Sequence, residues 1–119
     1  MWERLHLGAQ QFLSQGNLPL AESHFRQALA EAERELGAQD NKIAVILNNL
    51  AKMLANQGRG AEAEPLYQRA LSIRRHALGP LHCDEIIILE NYAKLLHALG
   101  RDREAAKLEQ TAIGIMRRS

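Results

Sequence analysis

The sequence predicts an all-α protein, a solenoid of three helix-turn-helix units with six helices, and three observations carry that expectation. The first is an internal period of 42 residues. Gly16, Gly58 and Gly100 keep it, as do Ala9, Ala51 and Ala93; Ala21, Ala63 and Ala105; Ala28, Ala70 and Ala112; Leu5, Leu47 and Leu89; and Phe12, Leu54 and Leu96. A fixed period of this length marks a repeat array, whose units stack because none can bury its apolar face alone. The second is apolar spacing at i, i+3, i+4 and i+7, seen in Leu47, Leu50, Ala51 and Leu54, which is one face of a helix. The third is composition. Ala and Leu dominate and aromatics are only 4%, so the residues that lose little entropy in a helix prevail over those that favour strands.

Each unit divides at its glycine, which ends a helix by taking a left-handed conformation without a Cβ clash. First helices are expected over about Trp2–Gln15, Asn41–Gln57 and Cys83–Leu99. Second helices start near Pro19, Ala61 and Arg103 and run to about Leu36, Leu78 and Arg117. Pro19 suits a first helical position, where its missing N–H costs nothing, and Asp102 suits a cap. Gly79-Pro80 is a stop signal. The units span about 2–40, 41–82 and 83–119 of a single domain covering 1–119. Small side chains in the alanine columns let helix backbones approach closely, while Phe25 and Tyr67 fill the space toward the next unit. Pro65 falls about a turn inside the second helix of the middle unit, where it removes a hydrogen bond and is expected to bend the axis.

Composition excludes several classes of function. A net charge of +1 with 46% hydrophobic residues describes an ordinary folded domain, not a polyanion binder or a disordered chain. No apolar run approaches the roughly 20 residues that span a bilayer. Met1-Trp2-Glu3-Arg4 is charged, unlike a signal peptide, and the lone Cys83 cannot form an intrachain disulfide, so the cytoplasm is the expected compartment. No phosphate-cradling glycine loop and no nucleophile motif occur. The run His82-Cys83-Asp84-Glu85 has no second ligand pair to complete a zinc site and reads as a helix start, with its acids complementing the dipole. No enzyme activity and no cofactor are expected.

A longer pattern in the middle unit narrows the reading. Leu47-Asn48-Asn49-Leu50-Ala51, then Gln57-Gly58, then Glu62-Ala63-Glu64-Pro65-Leu66-Tyr67, Arg69-Ala70-Leu71, Ile73-Arg74 and Leu78-Gly79-Pro80, resembles the 42-residue tetratricopeptide repeat of kinesin light chains. The resemblance covers nearly the whole chain and accounts for Pro65, which this repeat type tolerates. It implies a right-handed α-α superhelix whose first helices line a concave groove that holds a peptide or protein segment. Carried over by position, the groove residues would be Glu3, His6, Gln10, Ser14, Asn48, Asn49, Lys52, Asn56, Glu90, Asn91, Lys94 and His97. Asn49 and Asn91 match asparagines that hydrogen-bond a partner's backbone in related repeats; an asparagine there can equally tie neighbouring helices together. Lys52 and Lys94 either favour an acidic partner or are simply solvated.

The flanking units depart from the pattern. Leu7 stands where the later units have Asn49 and Asn91, and Glu109 where the earlier ones have Phe25 and Tyr67. The basic clamp by which some members of the family grip a C-terminal carboxylate is absent. Its positions hold His6, Gln10, Asn49, Ile87 and Asn91, of which only Asn49 agrees, and a carboxylate would lose its charge-assisted bonds there. The expected function is a protein-binding adaptor or scaffold, with no membrane partner. Its rivals are self-assembly through the array ends, or membership of a longer array. The terminal apolar residues Trp2, Leu108, Ile113, Ile115 and Met116 motivate both, or form a small tolerable patch, and Trp2 at the open start of the array is expected either to cap the first helix pair or to pack on a partner. A convex basic stripe of Arg69, Arg74, Arg75, Arg117 and Arg118 for nucleic acid ranks below both.

Overall fold

The computed structural model describes residues 2–76 and 82–118, and for residues 82 and 83 the backbone alone. Six helices follow one another: α1 (Trp2–Ser14), α2 (Leu18–Leu36), α3 (Asn41–Asn56), α4 (Gly60–His76), α5 (His82–Ala98) and α6 (Asp102–Arg118). Each odd helix pairs with the even helix after it, and each even helix packs on the next odd one. This is the expected all-α helical repeat, with helix ends within two residues of expectation in the described part. Gly79-Pro80 and the side chain of Cys83 lie outside the described residues.

The turns inside the three hairpins are copies of one another. Gly16, Gly58 and Gly100 have φ of 78°, 79° and 78°, and the residue after each donates its N–H back to Phe12, Leu54 or Leu96. These paired glycine-plus-backbonding closures satisfy carbonyls that a helix end would otherwise leave open. α2 starts on Asn17, whose side chain accepts from the Leu20 N–H, and α3 on Asp40, which accepts from the Lys42 N–H at 2.8 Å. Asp102 does not cap α6 through its side chain; the carboxylate turns to His97 instead. α4 runs unbroken through Pro65, which lies on its exposed side, so water can reach the carbonyl deprived of its partner.

The core follows the repeat columns. All nine alanines of the three small columns are buried, together with Leu47, Leu89, Leu54 and Leu96. Phe25 and Tyr67 are fully buried between units, as their columns require. Where a side chain is missing, the next helix's side chains move in: a Cβ on Gly60 would meet the Leu95 side chain at 3.0 Å, so the start of α4 sits hard against the end of α5.

Candidate functional site

α1, α3 and α5 lie side by side, joined by a polar ladder. The Asn91 side chain donates to the Asn48 carbonyl oxygen at 3.2 Å, and the Asn49 amide meets His6 Nε2 at 3.0 Å. Asn41 donates to Asp84 at 3.3 Å and accepts from Arg74 at 2.6 Å. Each rung joins a residue to one 43 positions later, so the ladder repeats with the array. Burial holds the His6 pKa below its ordinary value; the neutral ring can accept the Asn49 proton.

The second helices are joined by a different repeated device. Arg59 bridges Glu22 at 2.6 Å and Glu62 at 2.6 Å, and 42 residues on Arg101 bridges Glu64 at 2.8 Å and Glu104 at 2.5 Å. The Arg59 hydrogen bonds hold Glu22 and Glu62 below the usual carboxylate range, and Arg101 does the same for Glu64 and Glu104. Glu64 also accepts from the Tyr92 hydroxyl. Burial, aided by that bond, pushes the Tyr92 phenol up to about 12.

Between these devices the odd helices enclose two depressions that are copies of one pocket. One, of about 140 Å³, has Gln10 and Leu13 on α1, Phe25 on α2, and Asn49, Lys52, Met53 and Asn56 on α3. Each of these residues has its counterpart 42 positions later in the other, of about 170 Å³: Lys52, Ala55, Tyr67, Asn91, Lys94, Leu95 and Ala98. A sequence model of the tetratricopeptide repeat, one of the families built from stacked helical hairpins, matches residues 42–118. The chain belongs to that family. No curated protein matches the sequence. Tetratricopeptide repeats serve in general as protein–protein interaction scaffolds and are generally not enzymes.

The expected groove residues of this tetratricopeptide protein fall into three groups. Asn49, Lys52, Asn56, Asn91, Lys94 and Gln10 line the paired pockets. Glu3, Ser14, Glu90 and His97 are exposed but outside them. Glu90 borders a third depression with Lys94, Glu109, Ile113 and Met116, and His97 is held by Asp102 at 2.7 Å and Glu109 at 3.3 Å, which raise its pKa. Asn48 and His6 belong to the ladder. Asn48 is only 8% exposed, because it faces α5 rather than open solvent. Leu13, Ala55 and Ala98 line the pockets and escaped sequence reasoning, which chose polar residues; their signal was sharing the columns of the pocket walls. A fourth pocket lies between α3, α4 and α5, where Val45 and Ile87, one period apart and exposed, flank Asn48, Arg74 and Asp84.

One expectation is corrected. Arg74 is not on a convex basic stripe: it is 5% exposed and bonded to Asn41, since its column in the first unit holds the buried Ala32. Arg69 pairs with Glu33 at 2.9 Å. Trp2 at the array's start is half-buried against the first units, 6.4 Å from the His6 ring, with the Lys42 ammonium 6.0 Å above it. Among the described residues no cluster of three or more potential metal ligands occurs, and no helix is long and apolar enough to cross a membrane.

Proposed function

We propose that this protein is a non-enzymatic adaptor that holds an extended segment of another protein in the groove formed by α1, α3 and α5, in a concave superhelix of 42-residue kinesin-light-chain-type repeats. The observation that carries the reading is the duplicated pocket: a surface that repeats its chemistry at each unit fits a ligand that is itself a chain. Asn49, Asn91, Asn56, Lys52, Lys94 and Gln10 are the contact residues, Glu90 and His97 border the groove's far end, and His6 and Asn48 hold the helices in register. A reducing, cytoplasmic setting fits the single cysteine.

Stacking of copies end to end is the rival, and the end chemistry weighs against it. In the same register a second copy would set Leu7 against Glu90 where the ladder joins Asn91 to Asn48. It would set Asn17 against Ala106 where the clamp joins Arg101 to Glu64. Both repeated bonds would be missing, and the Glu90 carboxylate would be desolvated beside a leucine. Nucleic acid loses two of its five arginines as free contacts.

The test is affinity capture with the wild type beside Gln10→Trp/Ala98→Trp, which fills one exposed wall position of each pocket. A protein retained by the wild type and lost by the variant at unchanged helicity supports the groove. Equal retention by both overturns it, and recovery of this chain alone would favour self-association.

A further inference from the structure

The geometry points to a definite register for the chain that occupies this groove: an acidic, polyproline-II-like segment whose apolar and acidic side chains each recur at every third residue. The inference rests on the groove reading above and adds the partner's conformation and charge.

Three observations meet here. The first is spacing. The two pockets are one repeat apart, and closely packed helices lie about 8–10 Å from axis to axis. α3 and α5 are in contact, and α1 is tied to α3 by the His6–Asn49 bond. Three residues of polyproline II advance about 9.3 Å and return a side chain to the same face. A strand returns to its face after about 6.6–6.8 Å, which falls short, and after four residues overshoots. A helix lying across the groove meets the spacing only at a seven-residue step of about 10.5 Å.

The second observation separates the helix from the extended chain. The Asn49 and Asn91 amide groups are engaged within the protein, while among the described residues no hydrogen bond reaches their carbonyl oxygens. The groove therefore presents two acceptors, one per repeat. A polyproline-II chain keeps its non-proline N–H groups free to donate, whereas a helix has spent its own internally.

The third is charge. Lys52 stands on the wall of both pockets and Lys94 on that of the second, and neither is in an ion pair among the described residues. The nearby cations Arg59 and Arg101 are already neutralised by paired glutamates. Two open ammonium groups one repeat apart match carboxylates three residues apart in the same chain. At the far end the sign changes, because Glu90 and Glu109 border the third depression, so the acidic stretch ends there.

The experiment uses fluorescein-labelled nine-residue peptides read by anisotropy. One is three copies of Leu-Pro-Glu. A second has the same composition with Leu and Glu alternating before three prolines. A third replaces every Glu by Lys. The first should bind at least tenfold more tightly than either other. Lys52→Glu/Lys94→Glu should reverse the preference between Glu and Lys peptides, and Gln10→Trp/Ala98→Trp should abolish binding. Equal binding of the rearranged peptide, if lost in the blocked variant, overturns the register and leaves the groove standing. Equal binding of the Lys peptide overturns the acidic partner. Binding that survives blocking overturns both the groove and the register, whereas failure of all three peptides at millimolar concentration overturns the acidic polyproline-II partner and leaves the groove to the capture test.

Discussion

The two junctions between units are built on one plan and stabilised differently. Both carry the arginine clamp, a ladder rung and a buried aromatic ring. At the first junction the ring is Phe25, lying 5.7 Å from His6 and tilted against it, and the rung ends on that same histidine. At the second the ring is Tyr67, stacked at 5.5 Å on Tyr92, whose hydroxyl joins Gln68 and Glu64; the rung is a pair of asparagines, backed by Arg74, Asn41 and Asp84. The first junction thus depends on a titratable ring held neutral, the second on a hydrogen-bonded network that includes a buried arginine. Shared elements set the geometry of stacking, and unshared ones decide how each junction responds to mutation and pH.

The largest effect should come from the rings. Tyr67→Ala and Phe25→Ala each remove a fully buried aromatic and should cost about 3–5 kcal/mol in urea unfolding. Tyr67→Ala should be the worse by about 0.5–1.5 kcal/mol, because it also unstacks Tyr92. Equal losses would mean that the stacked pair adds nothing beyond buried area. The rungs come next. Asn91→Ala leaves the buried Asn48 oxygen without its donor and should cost about 1–3 kcal/mol, while Asn49→Ala leaves a half-buried histidine that water reaches and should cost about 0.5–1.5 kcal/mol. The reverse order, measured the same way, would show that the first junction is the stiffer.

A smaller effect should distinguish the ends of the molecule by sign. His97 has a folded pKa raised by Asp102 and Glu109. Its contribution is therefore complete below the unfolded value of about 6.5 and is lost as pH rises through the folded pKa. His6 has a lowered folded pKa, so its contribution is present above about 6.5 and lost as pH falls through the folded value. Hydrogen exchange, corrected for its intrinsic pH dependence, should show α6 better protected at pH 6 than at pH 8 and α1 the opposite. His97→Gln should flatten the α6 response alone. The same sign at both ends would remove one of these histidines from the account.

The smallest effect belongs to the clamps. Arg59→Gln and Arg101→Gln should lower the melting temperature slightly and by similar amounts. The difference from wild type should shrink in 1 M salt, where screening acts over about 3 Å. Unequal losses at low salt would mean that the Tyr92–Glu64 bond is coupled to Arg101.

Much of the fold was legible because the repeat made the chain testify several times to the same rule. Glycines 42 residues apart placed the turns, and alanines on the same spacing placed the close helix contacts. The candidate site was legible in part. The positions carried over from the family resemblance include Asn49, Asn91, Lys52, Lys94, Asn56 and Gln10, which the structure places along the pockets. The carry-over also set Asn48 among them, and that side chain faces the neighbouring helix, because a residue one step along a helix turns by about 100°. It missed Leu13, Ala55 and Ala98 because polarity was taken as the mark of a contact residue, while a pocket wall is set by size and position.

The sequence by itself determined the period, the six helices and the small columns, since each follows from local propensity or from comparing the chain with itself. Only the tertiary structure decided that the ladder joins residues 43 apart, that Arg74 is buried, and that two pockets share Lys52. Those depend on how helices far apart in sequence are rotated against one another. That rotation is settled by the packing of whole units and is written in no single stretch of the chain.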